Sequence, residues 1–81
     1  MNTKEHYYIE DFVNDEVRAP KIIRDVDYGT IERFDFELKQ FVEDFEMAKI
    51  FYGGIDVTPI TKEAADVRLK NIQKGFIHKL I

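Results

Sequence analysis

Cysteine and serine are absent from this chain of 81 residues, and histidine occurs only twice. Without cysteine the protein forms no disulfide and no thiolate metal site, so apolar packing must supply its stability. Without serine there is no serine nucleophile. His6 and His78 lie near opposite ends of the sequence, and neither has a second histidine close by. We therefore expect a protein that is not an enzyme and that binds no metal and no cofactor.

Long apolar runs and glycine-rich phosphate loops are also missing. No segment approaches the roughly 20 apolar residues that a membrane-spanning helix needs, and the opening MNTKEHYYIEDF contains no apolar core of a secretory signal. Gly53-Gly54 is followed by Ile55 and Asp56, which does not match a phosphate-binding loop. We expect a single cytoplasmic domain that does not bind membranes.

Apolar and charged residues are both abundant. Hydrophobic residues make up 44% of the chain and charged residues 35%, which is typical of a folded domain. A chain of this size buries only about 60–65% of its unfolded surface. Seven phenylalanines therefore favour a homodimer or an apolar patch that faces a partner. The composition resembles that of small accessory proteins of bacteria or phages.

Charge is distributed unevenly along the chain. The net charge is −4, but residues 1–57 hold 14 acidic and 7 basic side chains, whereas residues 58–81 hold 2 acidic and 5 basic ones. The first part therefore carries −7 and the second part +3. This polarity favours association between copies or binding to charged partners.

The spacing of the apolar residues predicts a mainly α-helical fold with three helices. A first helix is expected over about residues 3–18 and ends before Pro20; its apolar side chains are Tyr8, Ile9, Phe12, Val13 and Val17. A third helix is expected to begin after Thr58 or Thr61 and to run to the C-terminus. Its core stripe comprises Ala65, Leu69, Ile72, Phe76 and Leu80.

The middle of the chain is ambiguous. The longer periodic signal predicts a second helix that starts near Thr30 or Asp35, follows an extended stretch at 21–26 and ends at Gly53-Gly54. Its stripe comprises Ile31, Phe34, Leu38, Phe41, Val42, Phe45 and Ala48. The second and third helices would then pack as an antiparallel hairpin in a single helical domain over residues 1–81.

The alternative for the middle segment is a short β-hairpin around residues 21–38, which would make the fold α+β. Asp27-Tyr28-Gly29 can turn the chain, and the apolar side chains that follow alternate with acidic ones. These apolar residues are Phe34, Phe36 and Leu38.

The third helix has a second face that mixes apolar and basic residues, which a solvated surface does not require. We predict that it binds a protein partner or a second copy, as part of a non-catalytic regulatory protein. The residues of this face are Val67, Lys70, Lys74, Ile77, His78 and Ile81. The acidic complement is predicted on the second helix and comprises Glu43, Asp44 and Glu46. Tyr7-Tyr8 and Phe51-Tyr52 are interpreted as core-edge residues or interface anchors.

Two other functions are kept as alternatives. The third helix could read DNA in a transcriptional regulator, although its first turns carry Glu63 and Asp66 where base-reading side chains are needed. The acidic second helix could instead imitate nucleic acid and inhibit a basic protein.

Overall fold

The computed structural model describes the backbone of residues 4–14 and 16–80 and the side chains of residues 4–14 and 16–73. Its centre is a five-stranded antiparallel sheet with the strand order β4-β3-β2-β1-β5. A 3-10 helix follows β4, and one α-helix follows β5. The elements are β1 Glu5–Glu10, β2 Ile22–Val26, β3 Thr30–Asp35, β4 Gln40–Glu43, the 3-10 helix Phe45–Tyr52, β5 Val57–Ile60 and α1 Lys62–Leu80.

The sheet is covered on both faces. Strands β1 to β4 follow one another as a meander, and β5 pairs with the other side of β1. The 3-10 helix therefore carries the chain from the β4 edge to the β5 edge, and it crosses one face of the sheet. On that face Met47 packs with Ile23 and Ile31. On the opposite face α1 packs against the sheet through Ala65 and Leu69.

Strand β2 is the middle strand of the sheet and contributes to the apolar layer on each face. Ile22 and Ile23 are both fully buried, and successive side chains of a strand point to opposite faces. Ile22 joins the α1 layer, and Ile23 joins the layer under the 3-10 helix. A strand buried on both faces explains why β-branched residues occupy both positions.

The prediction of a mainly helical three-helix domain is wrong. The segment assigned to the first helix begins instead as β1, which pairs with β2 on one side and β5 on the other. Tyr7 packs in the α1 layer and Tyr8 in the opposite one. Apolar residues in a strand covered on both faces form a continuous run, and such a run also fits helical spacing.

The second predicted helix is wrong over most of its length, and the hairpin alternative is the one that the structure has. β2 and β3 are joined by a turn at residues 27–29, and β3 pairs with β4 through Phe34 opposite Phe41. Only Phe45–Tyr52 is helical, as a 3-10 helix. Its predicted end is confirmed, because Gly53 caps it with a left-handed φ of 77°.

The third predicted helix is confirmed from Lys62 onward. The Thr61 hydroxyl accepts a hydrogen bond from the backbone N–H of Ala64 at 3.1 Å and so caps the first turn. Thr58 belongs to β5. Ala65, Leu69 and Ile72 face the sheet as predicted; Phe76 and Leu80 lie outside the described side chains. In the part of the chain that the structure describes, no antiparallel pair of helices forms, because the sheet separates α1 from the 3-10 helix.

Neither helix in the described part of the chain is long and apolar enough to cross a membrane.

Replacing Ile23 with alanine tests the two-sided burial of β2. Ile23 is 0% exposed, so Ile23→Ala should lower the free energy of unfolding by about 2–5 kcal/mol. Val67→Ala is the matched control, because Val67 is 57% exposed and its truncation should cost less than about 0.5 kcal/mol. Urea unfolding followed by circular dichroism measures both. Equal midpoints for the two variants would contradict this architecture.

Candidate functional site

Three connections meet at one end of the sheet. The chain leaves β1 and enters β2 at this end, because the two strands are antiparallel. The β3–β4 turn lies there as well, since β3 starts from the opposite end. The segment before β5 reaches the same end, because Val57 pairs with Glu10. We call residues 11–14, 16–21, 36–39 and 51–56 the loop end.

The loop end carries most of the large apolar side chains that the structure leaves exposed. Eight such side chains are exposed among the described residues, and five of them belong to the loop end: Phe12, Val17, Leu38, Phe51 and Tyr52. The other three are Tyr28 and Phe45 near the opposite end and Val67 on α1. Single exposed apolar residues are ordinary, so the informative feature is their gathering from three separate segments.

Phe12 is the most unusual of the five. Its φ angle is +59°, in the left-handed region, which costs an L-residue about 1–2 kcal/mol. Its side chain is 91% exposed, so the ring gains almost no burial from this chain. Backbone strain of this kind concentrates at functional sites. Neither packing within the chain nor backbone preference accounts for a phenylalanine at this position.

The long β1–β2 connection is tied to the sheet through Glu10. The Arg18 guanidinium donates two hydrogen bonds to the Glu10 carboxylate, at 2.6 and 2.8 Å. The backbone N–H of Lys21 donates a third to the same carboxylate at 3.1 Å. The Arg18 hydrogen bonds, helped by the one from Lys21, lower the pKa of Glu10 below its ordinary value despite partial burial. Both ends of the connection are therefore held at one carboxylate.

Asp11 ties the same connection to β5. The Thr58 hydroxyl donates to its carboxylate at 2.8 Å. The backbone N–H of Asp11 donates to the carbonyl of Asp56, also at 2.8 Å. Phe12 follows Asp11 directly, so its strained backbone is attached to a residue whose position these hydrogen bonds fix.

The β3–β4 turn is stabilised by Asp35. Its Oδ1 accepts hydrogen bonds from the backbone N–H groups of Glu37 at 2.9 Å and Leu38 at 3.0 Å. The bond from Leu38 is the main cause of the lowered pKa of Asp35, and the one from Glu37 adds to it. Leu38 is thus presented from an ordered turn.

Phe51 and Tyr52 belong to the last turn of the 3-10 helix. Gly53 then takes the left-handed conformation, and the backbone N–H of Gly54 donates to the carbonyl of Lys49 at 2.9 Å. A Cβ atom on Gly54 would lie 2.9 Å from the Cβ of Lys49, so this tight turn requires glycine. The chain then turns toward β5 and leaves both rings exposed.

The chemistry of the loop end suits non-covalent contact. Its apolar side chains are interspersed with charged ones of both signs, which are Asp11, Glu16, Arg18, Lys21, Glu37, Lys39 and Asp56. Within the described residues no three histidine, aspartate or glutamate side chains converge on a metal position. An apolar surface with a charged surround is typical of a protein interface.

The polar network on the α1 face is built around Arg24. Its Nε lies 2.7 Å from Glu32, and its guanidinium stands 4.2 Å from the centre of the Phe41 ring. Tyr7 donates a hydrogen bond from its hydroxyl to Glu5. Burial, and then this hydrogen bond, raise the pKa of Tyr7. Arg24 also lies 3.9 Å from Glu5, so these contacts join the four adjacent strands β1 to β4 and do not reach the loop end.

A second polar cluster lies under the opposite face. Asp25 is 1% exposed, and its Oδ2 has no hydrogen-bond partner among the described residues. It is paired across the strands with His6, whose ring lies 4.6 Å from that of Tyr28. Burial is the main cause of the raised pKa of Tyr8, and the charge of Asp25 adds to it. This cluster lies toward the end of the sheet opposite the loop end.

The residues predicted from sequence to bind a partner fall into separate places. Val67 and Lys70 are exposed on α1, which packs against β1. The side chains of Lys74, Ile77, His78 and Ile81 lie outside the described residues. The acidic residues lie beyond β3, on and after the β4 edge: Glu43 and Glu46 are exposed, whereas Asp44 caps the 3-10 helix and binds Arg33 at 2.8 Å. The described members of the two groups are therefore not brought together.

The sequence predicts other positions for most residues of the loop end. Phe12, Val17 and Leu38 fitted helical stripes and were assigned to the core, yet all three are exposed. Phe51 and Tyr52 are predicted to be core-edge residues or interface anchors, and both are exposed. The hairpin alternative correctly makes the segment after the Asp27-Tyr28-Gly29 turn a strand, but its alternation counts Leu38 as a strand residue, whereas Leu38 lies in the β3–β4 turn.

Comparison of the chain with known protein families, curated proteins and solved structures found no match.

Removing the Arg18 guanidinium should change the acid sensitivity of the fold. The folded-state pKa of Glu10 lies below its ordinary value of 4.5, so the pair stabilises the fold above that pH and loses its effect as the pH falls through the folded pKa. Arg18→Met should lower the free energy of unfolding by about 0.5–1 kcal/mol at pH 7. The difference from wild type should shrink as the pH falls below 4.5 and through the folded-state pKa of Glu10.

Urea titrations from neutral to acidic pH measure this difference. Lys70→Met is the control, since it removes an exposed cation from α1, and it should keep the wild-type dependence on pH. A gap between Arg18→Met and wild type that stays constant with pH would contradict the role given to Glu10.

Proposed function

We propose that the protein is a small non-catalytic binding protein that acts by contacting another protein through the loop end. The observation that carries the proposal is the gathering of five exposed large apolar side chains at one end of the sheet, from segments far apart in sequence. The row of connections extends across five strands, which is about 19 Å at the usual strand spacing. This width suits one side of a modest protein interface.

Aromatic side chains and rigidity both support this function. Three of the five exposed residues are aromatic, namely Phe12, Phe51 and Tyr52, and aromatic side chains dominate the energetics of many interfaces. The carboxylates of Glu10, Asp11 and Asp35 fix the backbone around the patch. An interface that is already ordered loses less conformational entropy when it binds.

The surface predicted on α1 remains a second candidate for the same function. Val67 is 57% exposed, and Lys70 lies exposed on the same helix. Charge reversal at Lys70 and Lys74 should weaken binding through this surface without unfolding the domain. Unchanged binding in that double variant would leave the loop end as the sole candidate.

Replacing Phe12 with asparagine separates binding from folding. Asparagine tolerates the left-handed conformation, and the phenyl ring buries almost nothing, so Phe12→Asn should change the free energy of unfolding by less than about 1 kcal/mol. It should also weaken partner binding at least about tenfold, as expected for an interface anchor.

Phe45→Asn is the matched control, because Phe45 is 73% exposed near the opposite end of the sheet. Affinity capture from cells that express the protein, with quantitative mass spectrometry, compares wild type and both variants. The relevant partners are retained by wild type and Phe45→Asn and lost by Phe12→Asn. Equal retention by all three proteins would refute the loop end as the binding surface.

DNA binding through α1 is the alternative function. Lys62, Arg68 and Lys70 are exposed on this helix, but β5 precedes it, so the described fold supplies no preceding helix of a helix-turn-helix motif. Contact with phosphates would make affinity fall steeply as salt rises. We expect no binding to duplex DNA at low salt, as measured by fluorescence anisotropy; tight, salt-sensitive binding would favour the alternative.

Nucleic-acid mimicry is the other alternative. Glu37, Glu43 and Glu46 remain exposed, whereas Asp35 and Asp44 are engaged with Arg33. A mimic would compete with DNA for a basic protein, and the captured partners can be tested for such competition.

A further inference from the structure

The two edges of the sheet differ in their capacity to accept another strand. At the β5 edge, the N–H of Asp11 donates to the carbonyl of Asp56. Hydrogen bonding alternates along an antiparallel pair, so Thr58 is the next residue bonded to β1 and the nitrogen of Pro59 points outward. That nitrogen carries no hydrogen. Proline at this position blocks the addition of a strand.

The β4 edge has no such block. The N–H of Asp44 donates to the carbonyl of Ile31 at 3.0 Å, and the register makes Val42 the next residue bonded to β3. By the same alternation, the N–H and C=O groups of Phe41 and Glu43 point away from the sheet. Within residues 4–14 and 16–80 no strand pairs with this side of β4. The edge therefore presents unpaired donors and acceptors.

The sequence of this edge is complementary to itself. Lys39-Gln40-Phe41-Val42-Glu43 has a cation at one end, an anion at the other and a phenylalanine in the middle. In an antiparallel pair of two such segments centred on Phe41, each Lys39 lies opposite a Glu43. Lys39 precedes β4 in the β3–β4 turn, where its φ is +57° and its N–H donates to the carbonyl of Asp35 at 2.7 Å, so it contributes only its side chain to this pair. The side chains of Lys39, Gln40 and Glu43 are exposed in the single chain.

We propose that a second copy of the chain binds at the β4 edge. The two β4 strands pair antiparallel about a two-fold axis at Phe41 and join the two sheets into one of ten strands. The two Phe41 residues exchange backbone hydrogen bonds and stack as a cross-strand aromatic pair. Lys39 pairs with Glu43 of the partner subunit, and the symmetry repeats this ion pair on the other side.

The charges favour this register over its neighbour. Centring the pair on Val42 would place Phe41 opposite Glu43 and Gln40 opposite Asp44, with no ion pair. Centring it on Phe41 gives two ion pairs and one aromatic pair, each of which stabilises paired strands. Within one chain Glu43 lies opposite Glu32, and Arg24 is already bound to Glu32. In this register, Lys39 of the partner subunit is therefore the cation available to Glu43.

The block at β5 limits the assembly to two copies. Strand addition between unlike edges would generate an open chain of molecules, but Pro59 closes one of those edges. Pairing of β4 with β4 uses the same edge of both copies, so it leaves no further site. The homodimer expected from the sequence thereby has a defined surface. This surface shares Lys39 with the loop end, but it does not depend on the function proposed there.

Charge exchange at the edge tests the register. Lys39→Glu places two acidic side chains opposite each other at both ends of the pair, and Glu43→Lys does the same with two basic ones. Each single variant should weaken dimerisation at least about tenfold. The double variant Lys39→Glu/Glu43→Lys restores opposite charges and should dimerise like wild type. An equimolar mixture of the two single variants should form a heterodimer for the same reason.

Sedimentation equilibrium from about 5 µM to about 0.5 mM covers the range expected for a small interface. The measurement belongs at about 0.15 M salt, where screening limits repulsion between two copies of charge −4. Circular dichroism confirms folding, since both substituted side chains are exposed.

A wild-type protein that stays monomeric throughout overturns the proposal. Single variants that dimerise as wild type does, or a double variant that fails to recover, overturn the register. If Phe12→Asn loses partner capture but still dimerises, then the dimer interface and the binding surface at the loop end are two separate surfaces.

Discussion

The burial of β2 on both faces is the constraint on which the rest of the structure depends. Adjacent isoleucines point in opposite directions and are both fully enclosed, so this short chain must supply a cover for each side of the sheet. α1 covers one side, and the 3-10 helix covers the other. Because β4 and β5 lie at opposite edges, the second cover has to run across the whole sheet. That crossing brings the chain to the loop end, where the other two connections lie. The topology therefore gathers the exposed apolar side chains at the loop end.

Carboxylates determine how this end is organised. Glu10 holds the β1–β2 connection, Asp11 joins it to β5, and Asp35 closes the β3–β4 turn. Each accepts hydrogen bonds from groups that a loop would otherwise leave to water. With so small a core, these local bonds provide the order that the exposed rings do not provide by packing. The acidic excess of the first 57 residues thus has a structural use in addition to any effect on partners.

Local sequence signals predicted the elements that depend on neighbours in the chain. The threonine cap and the stripe of Ala65, Leu69 and Ile72 identified α1, and Gly53 identified the end of the 3-10 helix. β1 was missed because its partners, β2 and β5, come later in the chain, with β5 starting at Val57, and no spacing within residues 5–10 reports on them. The apolar positions from Ile31 to Ala48 fit a helix and a hairpin, so only tertiary pairing distinguishes the two. Phe12 could not be identified as a site residue, since its exposure follows from where β1 ends.

The position of β5 has a consequence for synthesis of the chain. The first four strands can pair as a meander as they emerge from the ribosome, each with its neighbour in sequence. β1 then has an unpaired side until β5 has emerged as well, and the backbone groups of Tyr7 and Ile9 on that side are open to other nascent chains. Arrival of the last strand ends this exposure, and its proline leaves an outer surface that cannot propagate pairing. The order in which the polypeptide is translated therefore makes the interval before Pro59 the period of greatest risk of aggregation.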